Sequence, residues 1–198
     1  MHKEKSGIKW KIVFIAGLAL IALALILLIA NIIMDRIASK ASDSVIKQMG
    51  GGTVIYEPLD DETSDDSSGE DVPKVLLDGK KYIGVLYIDS LDLELPVQSS
   101  TTDSGLWVSP CRYSGSVETN DFIICAHNMS SQFGRIKNLK PGDEIMFRTL
   151  DGSEYIYTVK KLETIDGNDV EGMKSGGYPL TLFTCTMSRS GRVAVRCR

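Results

Sequence analysis

Leu180-Thr181-Leu182-Phe183-Thr184-Cys185, the polar stretch Thr186–Gly191, and then Arg192-Val193-Ala194-Val195-Arg196-Cys197 decide the fold. Both outer runs are dense in apolar and β-branched residues. The connection between them is short and built of Ser, Arg and Gly, so the pair reads as two strands around a turn. Side chains alternate across a strand, so Val193, Val195 and Cys197 share one face and Arg192, Ala194 and Arg196 the other. Cys197 therefore points toward a core. Cys185 closes its run where the chain turns polar. That places it at a sheet rim, where loops held by rigid strands carry reactive groups.

The same period of two extends upstream. Lys81–Ile88 and Leu93–Val97 read as strands, with Pro96 marking an edge or a bend. Phe122–Ala126 is a short apolar run suited to a buried strand. Pro141-Gly142-Asp143 turns into Glu144–Arg148, and Asp151-Gly152 is a hairpin signal leading into Glu154–Lys161. Cys125 ends its apolar run and is expected to be buried, whereas Cys111 falls after Pro110 in a loop. A short helix is expected over Gln132–Leu139, and no internal repeat is visible. Many short strands with one or two short helices predict a mainly β fold, closed or nearly closed into a barrel that leaves no exposed edge.

Farther out, the character of the chain changes. Ile12–Ala30 contains no polar side chain, and the apolar run resumes after Asn31 through Met34. Residues 12–34 are long enough to cross a hydrocarbon core of about 30 Å as a helix. Residues 1–11 carry four lysines against Glu4, which by the positive-inside rule puts them in the cytoplasm and residues 74–198 outside. A cleaved signal peptide fits less well: its apolar region spans about 7–15 residues and ends in a small-residue site. Residues 35–73 carry 3 basic and 10 acidic residues. Of these, 35–49 could continue as a helix with Ile37, Ala41 and Val45 on one face, stopped by Gly50-Gly51-Gly52. Residues 57–73 are too acidic and too poor in apolar groups to fold, and read as a flexible spacer.

The body, residues 74–198, holds 15 basic and 15 acidic residues. A neutral domain without a basic stripe argues against nucleic-acid binding. The only histidines are His2, on the cytoplasmic side, and His127. With a single external histidine and no C-x-x-C, a metal site has little to build on. A cysteine nucleophile needs a thiolate, a proton donor for the leaving group and a donor to the oxyanion. Cys185 at the rim, His127 directly after a strand and Arg192 across the short turn would bring those three to one cleft.

These residues resemble the sortases, membrane-anchored cysteine transpeptidases of Gram-positive bacteria. The matching segments, in the family's order, are Gly84–Ile88, Leu95-Pro96-Val97, Ile123–Met129, Leu139–Asp143, Thr181-Leu182-Phe183-Thr184-Cys185-Thr186 and Arg192–Val195. The resemblance implies an eight-stranded sortase-type β-barrel behind a single transmembrane helix. It implies Cys185 as nucleophile, His127 as catalytic histidine and Arg192 as the arginine, with Arg189 and Arg196 as nearby rivals. It further implies that Asp166–Tyr178, made mobile by glycines including Gly176 and Gly177, helps bind substrate alongside Asn128 and Thr184. No cofactor and no metal are implied. The expected partners are secreted proteins with a C-terminal LPxTG-like sorting signal, and an amine of a cell-wall precursor or a pilin as acceptor. Ala126 stands where many members have Gly, and three further cysteines are unusual, leaving the subclass and a disulfide among Cys111, Cys125 and Cys197 open. His127-Asn128-Met129 looks like class B, but without that class's long insert helix. The alternatives are another extracellular cysteine enzyme, such as an L,D-transpeptidase, or a noncatalytic anchored binding module. The first is disfavoured by Phe183-Thr184 where that signature has a small residue and a glycine.

Overall fold

The computed structural model describes residues 4–50 and 73–198, and the chain divides into two compact units, 1–37 and 38–198. Helix α1 runs Glu4–Gly50. Within it, Val13–Met34 is apolar, long enough to cross a membrane, and not buried against protein. Helix α1 is described as far as Gly50, the first residue of the glycine triplet. In the second unit, Val45 from the last turns of α1 is buried with Val75 and Tyr82. Residues 51–72, most of the expected spacer, lie outside the described residues.

The body contains nine strands: β1 (Val75–Leu77), β2 (Lys80–Ile88), β3 (Leu93–Gln98), β4 (Cys111–Ser114), β5 (Phe122–Ala126), β6 (Glu144–Thr149), β7 (Glu154–Asp166), β8 (Leu180–Cys185) and β9 (Gly191–Cys197). Their order is β1-β2-β3-β4-β5-β8-β9-β7-β6, and β2 also pairs with β6. That last pairing closes eight strands into a barrel, with β1 as a short addition beside the start of β2. Closure requires a tight seam. A Cβ on Gly84 would stand 2.3 Å from Arg148 O and 2.7 Å from the Phe147 ring, so only glycine fits where β2 meets β6.

Two short helices, α2 (Asp103–Leu106) and α3 (Val170–Lys174), and a 3-10 turn at Phe133–Asn138 fill the connections. The 3-10 turn occupies the place expected for the short helix. Several elements differ from the sequence reading: β1 is an additional strand, and β7 continues past Lys161 to Asp166. Cys111 is in β4, not a loop, because only four residues there are extended and no alternation can show in so short a run. Asp166–Tyr178 is partly helical: the Asp169 side chain accepts from Gly172 N at 2.7 Å and caps α3.

Both faces of the β5–β8–β9 wall are buried. Inward-facing Phe122, Ile124, Leu180, Leu182, Val195 and Cys197 join the main core. Outward-facing Ile123, Cys125, Phe183 and Ala194 join a second cluster with Cys111, Ile165 and Met173. This two-sided burial explains why the β5 run is unbroken by polar residues: it is read by two cores at once.

Candidate active site

The site follows from register on that outer face. In the parallel β5–β8 pair, Ala126 is opposite Thr184, so the next residues, His127 and Cys185, leave adjacent strands at the same end. In the antiparallel β8–β9 pair, Cys185 is directly opposite Arg192. Directly opposed side chains stand on the same face of a sheet, with Cβ atoms about 4.5–5.5 Å apart. Three strands thus bring the three predicted residues to one rim. Cys185 is partly exposed, while the other three cysteines are buried.

His127 is held from several sides. Its backbone N–H donates to Gln132 Oε1 at 3.0 Å, and Gln132 Nε2 donates to Leu106 O at 3.1 Å. Gln132 is fully buried, so this side chain ties the His127 backbone to the end of α2. Trp107, which caps α2, lies against the imidazole at 4.5 Å between centroids. Among the described residues, His127 Nε2 is the buried side-chain nitrogen without a hydrogen-bond partner. A buried nitrogen of this kind ordinarily costs stability. Burial, and secondly the Arg189 charge, hold its pKa below the ordinary imidazole value, while Asp103 opposes them. Arg189→Gln is therefore expected to move the His127 titration to higher pH, read from the imidazole proton shifts by NMR.

The three arginines are distinguished by what they touch. Arg196 is 2% exposed, and its guanidinium is committed. Nε donates to Glu163 Oε1 at 2.7 Å, Nη2 to Gly172 O at 2.6 Å, and Nη1 to Met173 O at 2.5 Å and Thr181 Oγ1 at 3.1 Å. It latches α3 to the barrel wall and lies over the Tyr178 ring. Arg189 is an exposed turn residue with φ +61°. Arg192 is half-buried beside Cys185, and its Nη1 donates to Gly191 O at 3.2 Å, a bond that leaves most of its donors for a ligand. Arg196→Met is expected to cost about 2 kcal/mol, below the usual range for a broken buried pair because Glu163 is partly solvated and has Lys161. Urea unfolding monitored by fluorescence measures it.

Of the expected substrate contacts, Thr184 is buried and its hydroxyl donates to Ala126 O at 2.8 Å, joining β5 to β8 directly beneath the site. Asn128 is half-buried, its Nδ2 3.5 Å from Met187 Sδ. Gly176 and Gly177 are exposed at φ +99° and +59°, after α3. Trp107 and Gln132 were not singled out from the sequence. Neither falls on a periodic run: Gln132 lies in the loop five residues after His127, and Trp107 comes from the end of α2.

A family model for the sortase domain matches residues 86–198. The chain belongs to the sortase family. Among curated proteins, this sortase-family chain is 31% identical over 121 residues to Sortase A of Bacillus anthracis, covering 58% of this chain and 57% of that protein. It therefore spans little more than half the length of that relative. Among solved structures, the sortase domain superposes on Sortase C of Streptococcus pneumoniae with a TM-score of 0.52 at 28% identity, covering 59% of this chain and 67% of the other. A Clostridium perfringens Sortase D5 transpeptidase gives a TM-score of 0.53 at 19% identity over 62% and 81% of the two chains, a likeness of fold. The closed eight-stranded barrel is the sortase fold expected from the sequence.

Proposed function

We propose that this protein is a cysteine transpeptidase that cleaves an LPxTG-like sorting signal and transfers the cleaved protein to an amine of the cell wall or of a pilin. The observation that carries the reading is the register that sets Cys185 opposite Arg192 and beside the end of the His127 strand. Family membership supports it.

In this reading the Cys185 thiolate attacks the carbonyl carbon of the scissile bond. The carbonyl oxygen becomes an oxyanion, and the Arg192 guanidinium donates hydrogen bonds to it; donors of this kind contribute about 3–4 kcal/mol to acyl-transfer transition states. His127, carrying the proton taken from the Cys185 thiol, gives it to the departing amine as the tetrahedral adduct collapses to a thioester. An incoming amine then loses its proton to His127 and attacks the thioester, and Cys185 leaves as thiolate. Trp107 and Gln132 keep the imidazole in place. Asn128, Gly176 and Gly177 would line the groove for the sorting signal, and Thr184 would hold the rim together beneath it. The apolar Val13–Met34 helix would anchor the chain with its N-terminus in the cytoplasm and the catalytic body outside, residues 35–73 serving as spacer.

The test is incubation of the detergent-solubilised full chain with a library of LPxTG-like peptides and a mixture of amine acceptors. Mass spectrometry is expected to find an acyl adduct on Cys185 and an amide product that names the preferred motif and acceptor. Absence of any adduct across the library would remove the assignment.

A further inference from the structure

Three cysteines take no part in the reaction proposed above, and the two cores sort them. Cys197 points into the main core, on the inner side of the wall. Cys111 and Cys125 both lie in the outer cluster. On the antiparallel neighbours β4 and β5 they are direct register partners, so their side chains leave the sheet on one face. Directly opposed antiparallel residues have Cα atoms about 4.5–5.5 Å apart. A disulfide spans about 4.4–6.8 Å between Cα atoms. Both thiols are free in this structure; Cys125 Sγ is 3.6 Å from Cys111 O, across the pair, and Cys111 Sγ is 3.5 Å from Ser109 O.

Cys185 is placed differently. The β8 partner of Cys125 is Phe183, so Cys185 is a diagonal neighbour two residues on. Strands about 4.8 Å apart rising about 3.3 Å per residue put such a pair about 8 Å apart, too long to bridge without moving the backbone.

We propose that Cys111 and Cys125 form a cross-strand disulfide, leaving Cys185 and Cys197 outside any bridge. The oxidant is a small-molecule disulfide. One cysteine thiolate attacks it and expels a thiolate, giving a mixed disulfide; the second cysteine thiolate attacks the protein sulfur of that intermediate and expels the other. The protons of the two cysteine thiols end on the two departing thiols, and the two electrons reduce the small disulfide. Burial pushes the Cys111 thiol up to about 12 and raises Cys125 as well, so in the closed barrel neither exchanges readily. The bridge does two things. It braces the strand end that carries His127, two residues beyond Cys125. It also occupies the one other sulfur on the face and strand adjoining Cys185, so the nucleophile has no neighbouring thiol to trap it.

The experiment refolds the detergent-solubilised full chain in a buffer of reduced and oxidised glutathione, quenches with acid, and alkylates in denaturant without reductant. Peptide mass spectrometry is expected to find residues 111 and 125 in one linked pair, lighter by two hydrogens than the separate peptides, with Cys185 and Cys197 in no intramolecular bridge. Reduction is expected to lower Tm by about 10 °C, as for closing a loop of this length in a domain of this size. A Cys111→Ala, Cys125→Ala double variant is expected to show no such dependence on reductant. Alkylation of all four cysteines, or a bridge that includes Cys185 or Cys197, overturns the proposal. The readout needs no turnover, so a chain inactive on every peptide would still decide it.

Discussion

Cys185→Ala is expected to keep the fold and lose cleavage of sorting peptides by at least about 10⁴-fold, the scale seen when a covalent nucleophile is removed. The side chain is partly exposed at the end of β8 and belongs to neither core, so the truncation opens no buried cavity. Its backbone pairing with Arg192 on β9 does not depend on sulfur. Unchanged circular dichroism and Tm, with no acyl adduct by mass spectrometry, is the expected combination. Residual turnover within about tenfold of the parent would mean that another group performs the attack.

Arg192→Lys carries the second largest expected effect, a fall of about 10²–10³ in kcat/KM, equivalent to about 3–4 kcal/mol of transition-state stabilisation. Charge is conserved in this variant; what goes is the planar fork of donors that can hold an oxyanion and a neighbouring carbonyl at once. Steady-state kinetics with a fluorogenic sorting peptide measures it. The contrast with Arg196→Met is informative. That substitution removes the latch on α3 and is expected to lower stability, with the loss of activity following the loss of folded protein. Had the two arginines exchanged roles, the ranking in kinetics and in unfolding would reverse.

The barrel was legible where strands are long enough to show a period. Leu180–Cys185 and Phe122–Ala126 appear with the same bounds in sequence and structure. β1 and β4 were not legible, because three or four extended residues carry no measurable alternation. That omission had a consequence for chemistry: with Cys111 unplaced, the direct opposition of Cys111 and Cys125 was invisible. The three candidate residues could be brought together from rim position and resemblance, yet the neighbours that hold His127 could not. Trp107 reaches it from the end of α2, whose docking is a matter of tertiary packing, and Gln132 from the loop after β5; neither leaves a periodic pattern in the chain. Parity on β9 correctly separated Cys197 from Arg192. It could not tell that the Arg196 face is itself covered by α3, since a charged residue in an alternating run ordinarily faces water.

The parallel pairing of β5 with β8 has a consequence for the order of folding. Ala126 and Thr184, ladder partners that also share the Thr184 hydroxyl bond, are 58 residues apart in the chain. Everything between them, including β6, β7 and α3, must be laid down before the two strands can meet. Such contacts come late, because the entropy of closing a long segment is spent before the pairing returns anything. His127 and Cys185 therefore become neighbours only when the barrel is nearly complete. A chain still emerging or partly folded would hold the Cys185 thiol and the His127 imidazole apart, so the reaction proposed above would have to wait for the barrel.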